Sequence, residues 1–276
     1  MAPALSNRDY AHGLLRAFGG AVLFGFPLLM TMEMWRLGFT MAPERLALFV
    51  LLAVPLLFGL SYYAGFRKTY GPMNDALDAL AALAVGFAAA AVLLFLFGVI
   101  QPGASVEETV GKLSIQAVPA AIGALLARKQ LAAEGDASSD GPEDEENRRE
   151  GYVSELFLMA AGALFLSFNV APTEEVVLIA YQMSPLLAAL LAIASIALLH
   201  AIVYSLGFAG QHRHEGHADA FLHFTVPGYA LVLLMCLYVE WTFGHADGQS
   251  LGGLAMTTVV LAFPGALGAG AARLLV

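Results

Sequence analysis

Charged side chains are scarce in this chain of 276 residues, at only 13%. A soluble domain carries about 25%. The deficit, together with 59% hydrophobic residues and repeated apolar runs of roughly 20 residues, excludes an ordinary soluble globule and indicates a polytopic membrane protein. Cysteine is equally rare. The single Cys236 lies within an apolar run, so an intramolecular disulfide is excluded and the redox compartment is left open. The chain also has no phosphate-cradling glycine loop, no hydrolase elbow and no cysteine pair at metal spacing. No cleavable signal peptide is evident; the first apolar run begins near Leu14 and is long enough to span, so it reads as a retained membrane helix.

The formal charge of −9 is misleading as a bulk property. Much of it is concentrated in Glu134, Asp136, Asp140, Glu143, Asp144, Glu145, Glu146 and Glu150. That stretch is acidic, bears Gly, Ser and Pro, and lacks bulky apolar groups, which is the composition of a disordered linker. On either side the hydropathy predicts eight spans, near 14–34, 46–64, 77–100, 109–128, 153–173, 184–208, 219–242 and 251–272. None alternates like a strand, and bilayer physics favours helices, so the expected fold is an all-α transmembrane bundle.

Phe168-Asn-Val-Ala-Pro-Thr-Glu-Glu175 and the residues up to Pro185 organise the rest. An altered copy runs from Phe26 to Pro43 at a constant spacing of 142, as in 175 minus 33 and 185 minus 43. The spacing matches Thr31 with Thr173, Glu33 with Glu175 and Met41 with Met183. It also matches Gly20 with Gly162, Tyr62 with Tyr204 and Gly86 with Gly228. After three further residues it becomes 145, matching Ser105 with Ser250, Pro119 with Pro264, Gly123 with Gly268 and Arg128 with Arg273. Two tandem four-helix repeats are therefore expected, 1–130 and 151–276, joined by the linker 131–150. Four is even, so the repeats should be parallel, about an axis along the membrane normal.

Charge sets the orientation. Arg8, Arg16, Arg67, Lys68, Arg128, Lys129, Arg148, Arg149, Arg213 and Arg273 fall on one side, and only Arg36, Arg45 and Lys112 on the other. The positive-inside rule then puts both termini, the linker and the His-rich loop in the cytoplasm of an inner-membrane protein. The stretch from Gly19-Gly20 to Trp35, with its Thr31-Met-Glu-Met-Trp35 core, resembles a family of bacterial integral membrane proteins of unknown function. The resemblance covers most of the chain. It implies a membrane location and no mechanism, and assigns no site residue.

The glutamates are the leading functional candidates. A carboxylate deep in a bilayer is costly and usually faces a cavity or partner. Pro172 suits a helix start, so Ala171-Pro-Thr-Glu-Glu175 can break the fifth span and open a short half-helix with Glu174 and Glu175 in its first turn. Equally, Glu33, Glu174 and Glu175 can mark the outer headgroup level, as Trp35 and Arg36 suggest. Asn169 could lend a carbonyl oxygen to a cation, and His200, read near the middle of its span, could carry a proton. Glu240 beside Trp241 reads as interfacial. Asp78 and Asp219 read as helix N-caps, and Gly123 and Gly268 as close-packing positions. His212, His214 and His217 could bind a transition metal, although a solvated loop explains them as well.

These residues predict a cation or proton channel or transporter built on Glu33 and Glu175, assisted by Glu174 and Asn169. A second reading is a membrane sensor or scaffold acting through the acidic linker and His loop, and a third is an intramembrane enzyme. The expected partners are the lipid bilayer, a small cation or proton, and further copies of the chain. No nucleic acid and no cofactor beyond a bound cation are expected.

Overall fold

A backbone in hydrocarbon must satisfy its own hydrogen bonds, and a helix does so residue by residue. The computed structural model describes residues 7–64, 72–133, 151–206 and 221–275, and among these no strand occurs. Two compact units divide the chain, Met1–Asp140 and Gly141–Val276.

The first unit contains α1 (Asn7–Leu29), α2 (Met32–Thr40), α3 (Pro43–Ala64), α4 (Pro72–Leu96) and α5 (Val106–Ala133). The second contains α6 (Tyr152–Val170), α7 (Glu175–Gln182) and α8 (Pro185–Leu206), then a π turn (Phe221–Thr225) running into α9 (Val226–Thr242), and finally α10 (Leu251–Leu275). Both units thus have the same succession of long, short, long, long and long helices. Among the described residues eight helices are long and apolar enough to cross a membrane. At 1.5 Å per residue the short α2 and α7 extend only about 13 and 12 Å, less than half of a hydrocarbon core. Each joins two spans at what is here the short-helix end of its unit.

The expected spans need two corrections. The first does not run to residue 34: α1 stops at Leu29, and Met32–Thr40 forms a helix of its own. Thr31 turns the chain, its hydroxyl donating to the Leu28 carbonyl at 2.9 Å. The third helix begins at Pro72, ahead of the expected 77, so Asp78 lies inside it and is no N-cap. The buried polar group of its first turn is Asp75, which accepts a hydrogen bond from Ser61 at 3.4 Å. The break expected at Pro172 is present: α6 ends at Val170 and α7 starts at Glu175.

The last helix is the hub of each unit. In the first, α5 packs against α1, α2, α3 and α4; in the second, α10 packs against α6, α7, α8 and α9. Glycines allow the close crossings. A Cβ on Gly123 would lie 2.5 Å from Phe24 Cβ and 2.8 Å from the Gly20 carbonyl oxygen. A Cβ on Gly268 would run into the Gly162 carbonyl, and one on Gly162 into that of Gly268. Gly123 and Gly268 are therefore close-packing positions, as van der Waals association of helices in lipid requires.

The units differ at the ends of α4 and α9. The helix-ending glycine with positive φ, a conformation that suits glycine alone, is Gly98 (φ 71°) in one and Gly244 (φ 83°) in the other. Gly98 follows Gly86 by twelve residues, whereas Gly244 follows Gly228 by sixteen. That interval is four residues, about one helical turn, longer in the second unit, and Glu240 lies within it.

Candidate functional site

At the short-helix end of the first unit the core is apolar. Leu29, Ala90 and Leu94 are fully buried, with Trp35, Val99, Ile100 and Leu113 packed against them. Trp35 Nε1 donates to the Leu29 carbonyl at 2.8 Å and ties α2 back onto α1. Nearby, Lys112 is buried in α5, where its ammonium pairs with Glu108, donates to the Val99 carbonyl at 3.1 Å and stands 5.8 Å from the Phe39 ring centroid.

The same end of the second unit is polar. Counted back from the helix-ending glycine, Glu240 occupies the place of Leu94, since 240 minus 94 and 244 minus 98 are both 146. The two share a backbone role: Leu94 accepts from Ile100 N at 3.2 Å, and Glu240 from Ala246 N at 3.3 Å. Glu240 is 0% exposed. Neither of its carboxylate oxygens has a hydrogen-bond partner among the described residues. His245 Nδ1 lies 3.6 Å from its Oε2, an ion-pair distance beyond hydrogen-bond length. The turn at Gly244 brings the imidazole over the carboxylate.

His245 sits in the loop between α9 and α10. Burial pushes its pKa below the ordinary imidazole value, and the carboxylate of Glu174 opposes the shift. Glu174 itself is exposed at the start of α7. Exposure therefore falls in steps, from Glu174 to the half-buried His245 to the buried Glu240. One turn below Glu240, Cys236 Sγ lies 3.4 Å from Ser167 Oγ of α6.

The sequence-derived candidates are placed as follows. Glu33 is half-buried in the first turn of α2, and Glu175 is exposed in the first turn of α7. Asn169 is half-buried, and its amide donates to the Phe165 carbonyl of its own helix at 2.7 Å. His200 is not near mid-span but close to the far end of α8, with Nδ1 2.9 Å from Thr225 Oγ1. His212, His214 and His217, the acidic linker and Asp219 lie outside the described residues. Among the described residues no group of three His, Cys, Asp or Glu is placed to hold a metal ion. Glu240 stands two residues before the end of its span, as the interfacial reading expects, but is buried within the unit. The signal that would have found it is the longer interval: comparing the two units back from Gly98 and Gly244 sets a glutamate against a leucine.

Eight apolar helices of spanning length around glycine crossings define a polytopic α-helical membrane protein. Residues 13–276 match the family model described as "Putative integral membrane protein (DUF2391)". The chain belongs to that family. No curated protein and no solved structure matches the chain.

Proposed function

We propose that the protein moves a small cation or proton across the bacterial inner membrane, with both termini in the cytoplasm. The observation that carries this reading is the Glu240 carboxylate: wholly buried in a spanning helix, unpartnered, and beside an imidazole. An ionised carboxylate buried without a partner pays a desolvation cost. It is tolerable only when a proton or cation neutralises it. His245 and Glu174 supply the approach, passing charge between solvent and interior. Glu33 and Glu175, in the first turns of the short helices, add negative charge at the short-helix ends and draw cations there.

Flux into liposomes reconstituted with the full chain tests this. Wild type should move protons or a small cation down an imposed gradient, and Glu240→Gln should not. Absence of flux from wild type, or equal flux from the variant, would end the reading.

A further inference from the structure

We infer that the cargo is the proton and that it travels through the second unit alone, along one polar stripe formed by Thr225, the cap of α9, and by Tyr229, Cys236 and Glu240 within that helix. The inference rests on the transport reading above and narrows it.

The stripe follows from helix geometry. Residues at i, i+4, i+11 and i+15 recur on one face of an α-helix. All four are buried, at 0% for Thr225, Cys236 and Glu240 and 7% for Tyr229. Neighbouring helices meet each of the lower three with a proton-bearing group. His200 of α8 stands 2.9 Å from Thr225. Ser195 of α8 is near Tyr229, although its hydroxyl donates to the Leu191 carbonyl at 2.8 Å and the Tyr229 hydroxyl has no hydrogen-bond partner among the described residues. Ser167 of α6 is in contact with Cys236. At the short-helix end His245 and Glu174 complete the series. The π turn that opens α9 places Thr225 at the opposite end of the span, so the stripe runs the length of the membrane helix.

The first unit shows that the fold does not need these groups. At a spacing of 142, Thr225, Tyr229, Ser195, His200 and Ser167 match Leu83, Phe87, Ala53, Phe58 and Gly25. Counted from the helix-ending glycine, Cys236 and Glu240 match Ala90 and Leu94. Every member has an apolar counterpart in a unit with the same succession of helices. Buried polar groups that a fold can replace with alanine, phenylalanine and leucine are retained at a cost in stability, so function accounts for them.

The chemistry of the members selects the proton. Hydroxyl, thiol, carboxyl and imidazole groups each accept a proton on one side and release one on the other. A dehydrated metal cation instead needs several oxygens at once, and the stripe presents its groups singly. Between Tyr229 and Cys236 the helix rises about 10 Å, a stretch that the proton would have to cross on water. Gly265 of α10 borders that stretch. A Cβ there would stand 3.0 Å from Val232 Cγ1 and 3.2 Å from both Cys236 Sγ and Ser167 Oγ, so the glycine lets α10 pack closely against the thiol and the Ser167 hydroxyl.

The test uses the full chain in liposomes, with a potassium diffusion potential, an internal pH dye, and separate sodium and rubidium tracers. The variants are Glu240→Gln, Tyr229→Phe and Cys236→Ala. The last two copy residues that the first unit already accommodates. We expect wild type to pass protons and neither tracer, Glu240→Gln to be silent, and Tyr229→Phe and Cys236→Ala to lose at least tenfold in proton flux with melting temperatures near wild type. Tracer flux without proton flux would overturn the proton assignment while leaving transport standing. Full proton flux in both Tyr229→Phe and Cys236→Ala would overturn the stripe while leaving Glu240 in place. No flux of any kind from wild type would remove both.

Discussion

Trp35 Nε1 donates to the carbonyl of Leu29 at 2.8 Å, across the break between the first two helices. The indole satisfies one of the carbonyls that the end of α1 would otherwise leave without a partner. It also covers the apolar group of Leu29, Ala90 and Leu94. Trp35→Phe keeps most of the packing and removes the donor. It should cost about 1 kcal/mol and lower the melting temperature in detergent. An unchanged melting curve would show that the bond contributes nothing.

Gly268 and Gly162 hold α10 and α6 at backbone contact. Gly268→Leu should destabilise the second unit by about 1–3 kcal/mol through overpacking, with reduced yield and melting temperature. Gly19, where an added Cβ meets nothing within 4 Å, is the control, and Gly19→Ala should be neutral. Equal behaviour of the two variants would refute the crossing.

His245 resists protonation in the folded chain because it is buried. Unfolded, it takes up its proton at about pH 6.5. Below that pH the unfolded state binds more protons, so stability falls as pH is lowered through the interval between the folded and unfolded values. Above it the difference disappears. His245→Gln should flatten this acid-side loss in melting temperature. The prediction fails if wild type and variant lose stability in parallel from pH 7 to pH 5.

Charge asymmetry predicts the topology. Ten Lys and Arg residues fall on the side of the termini and three on the other. A reporter fused after Val276 should read cytoplasm, and one inserted at Ser250 should read periplasm. The reverse pattern would invert the proposed direction of approach to Glu240.

The spans were legible because hydropathy alone decides which segments enter a bilayer, and Pro172 marked the start of a short helix. The equivalent break at Met30–Thr31 was not, because apolar side chains run through it with neither Pro nor Gly at the turn. Gly123 and Gly268 could be read as packing positions since few other roles suit glycine in a membrane helix. Glu240 was hidden for a geometric reason. Trp241 points to an interface, while the burial depends on which face of α9 meets α6 and α10. His245 becomes its neighbour only through the left-handed Gly244.

Where two backbones touch, no side chain is left to yield between them. The crossing of α6 and α10 at Gly162 and Gly268 therefore behaves as a rivet, and so does that of α1 and α5 at Gly20 and Gly123. Neither joint can slide without parting its carbonyls from the opposing chain. α9 is fastened beside the same joint, since a Cβ on Gly228 would run into Met159 Cε of α6, three residues from Gly162. The helix bearing Glu240 is thus seated on the same helix that carries Ser167.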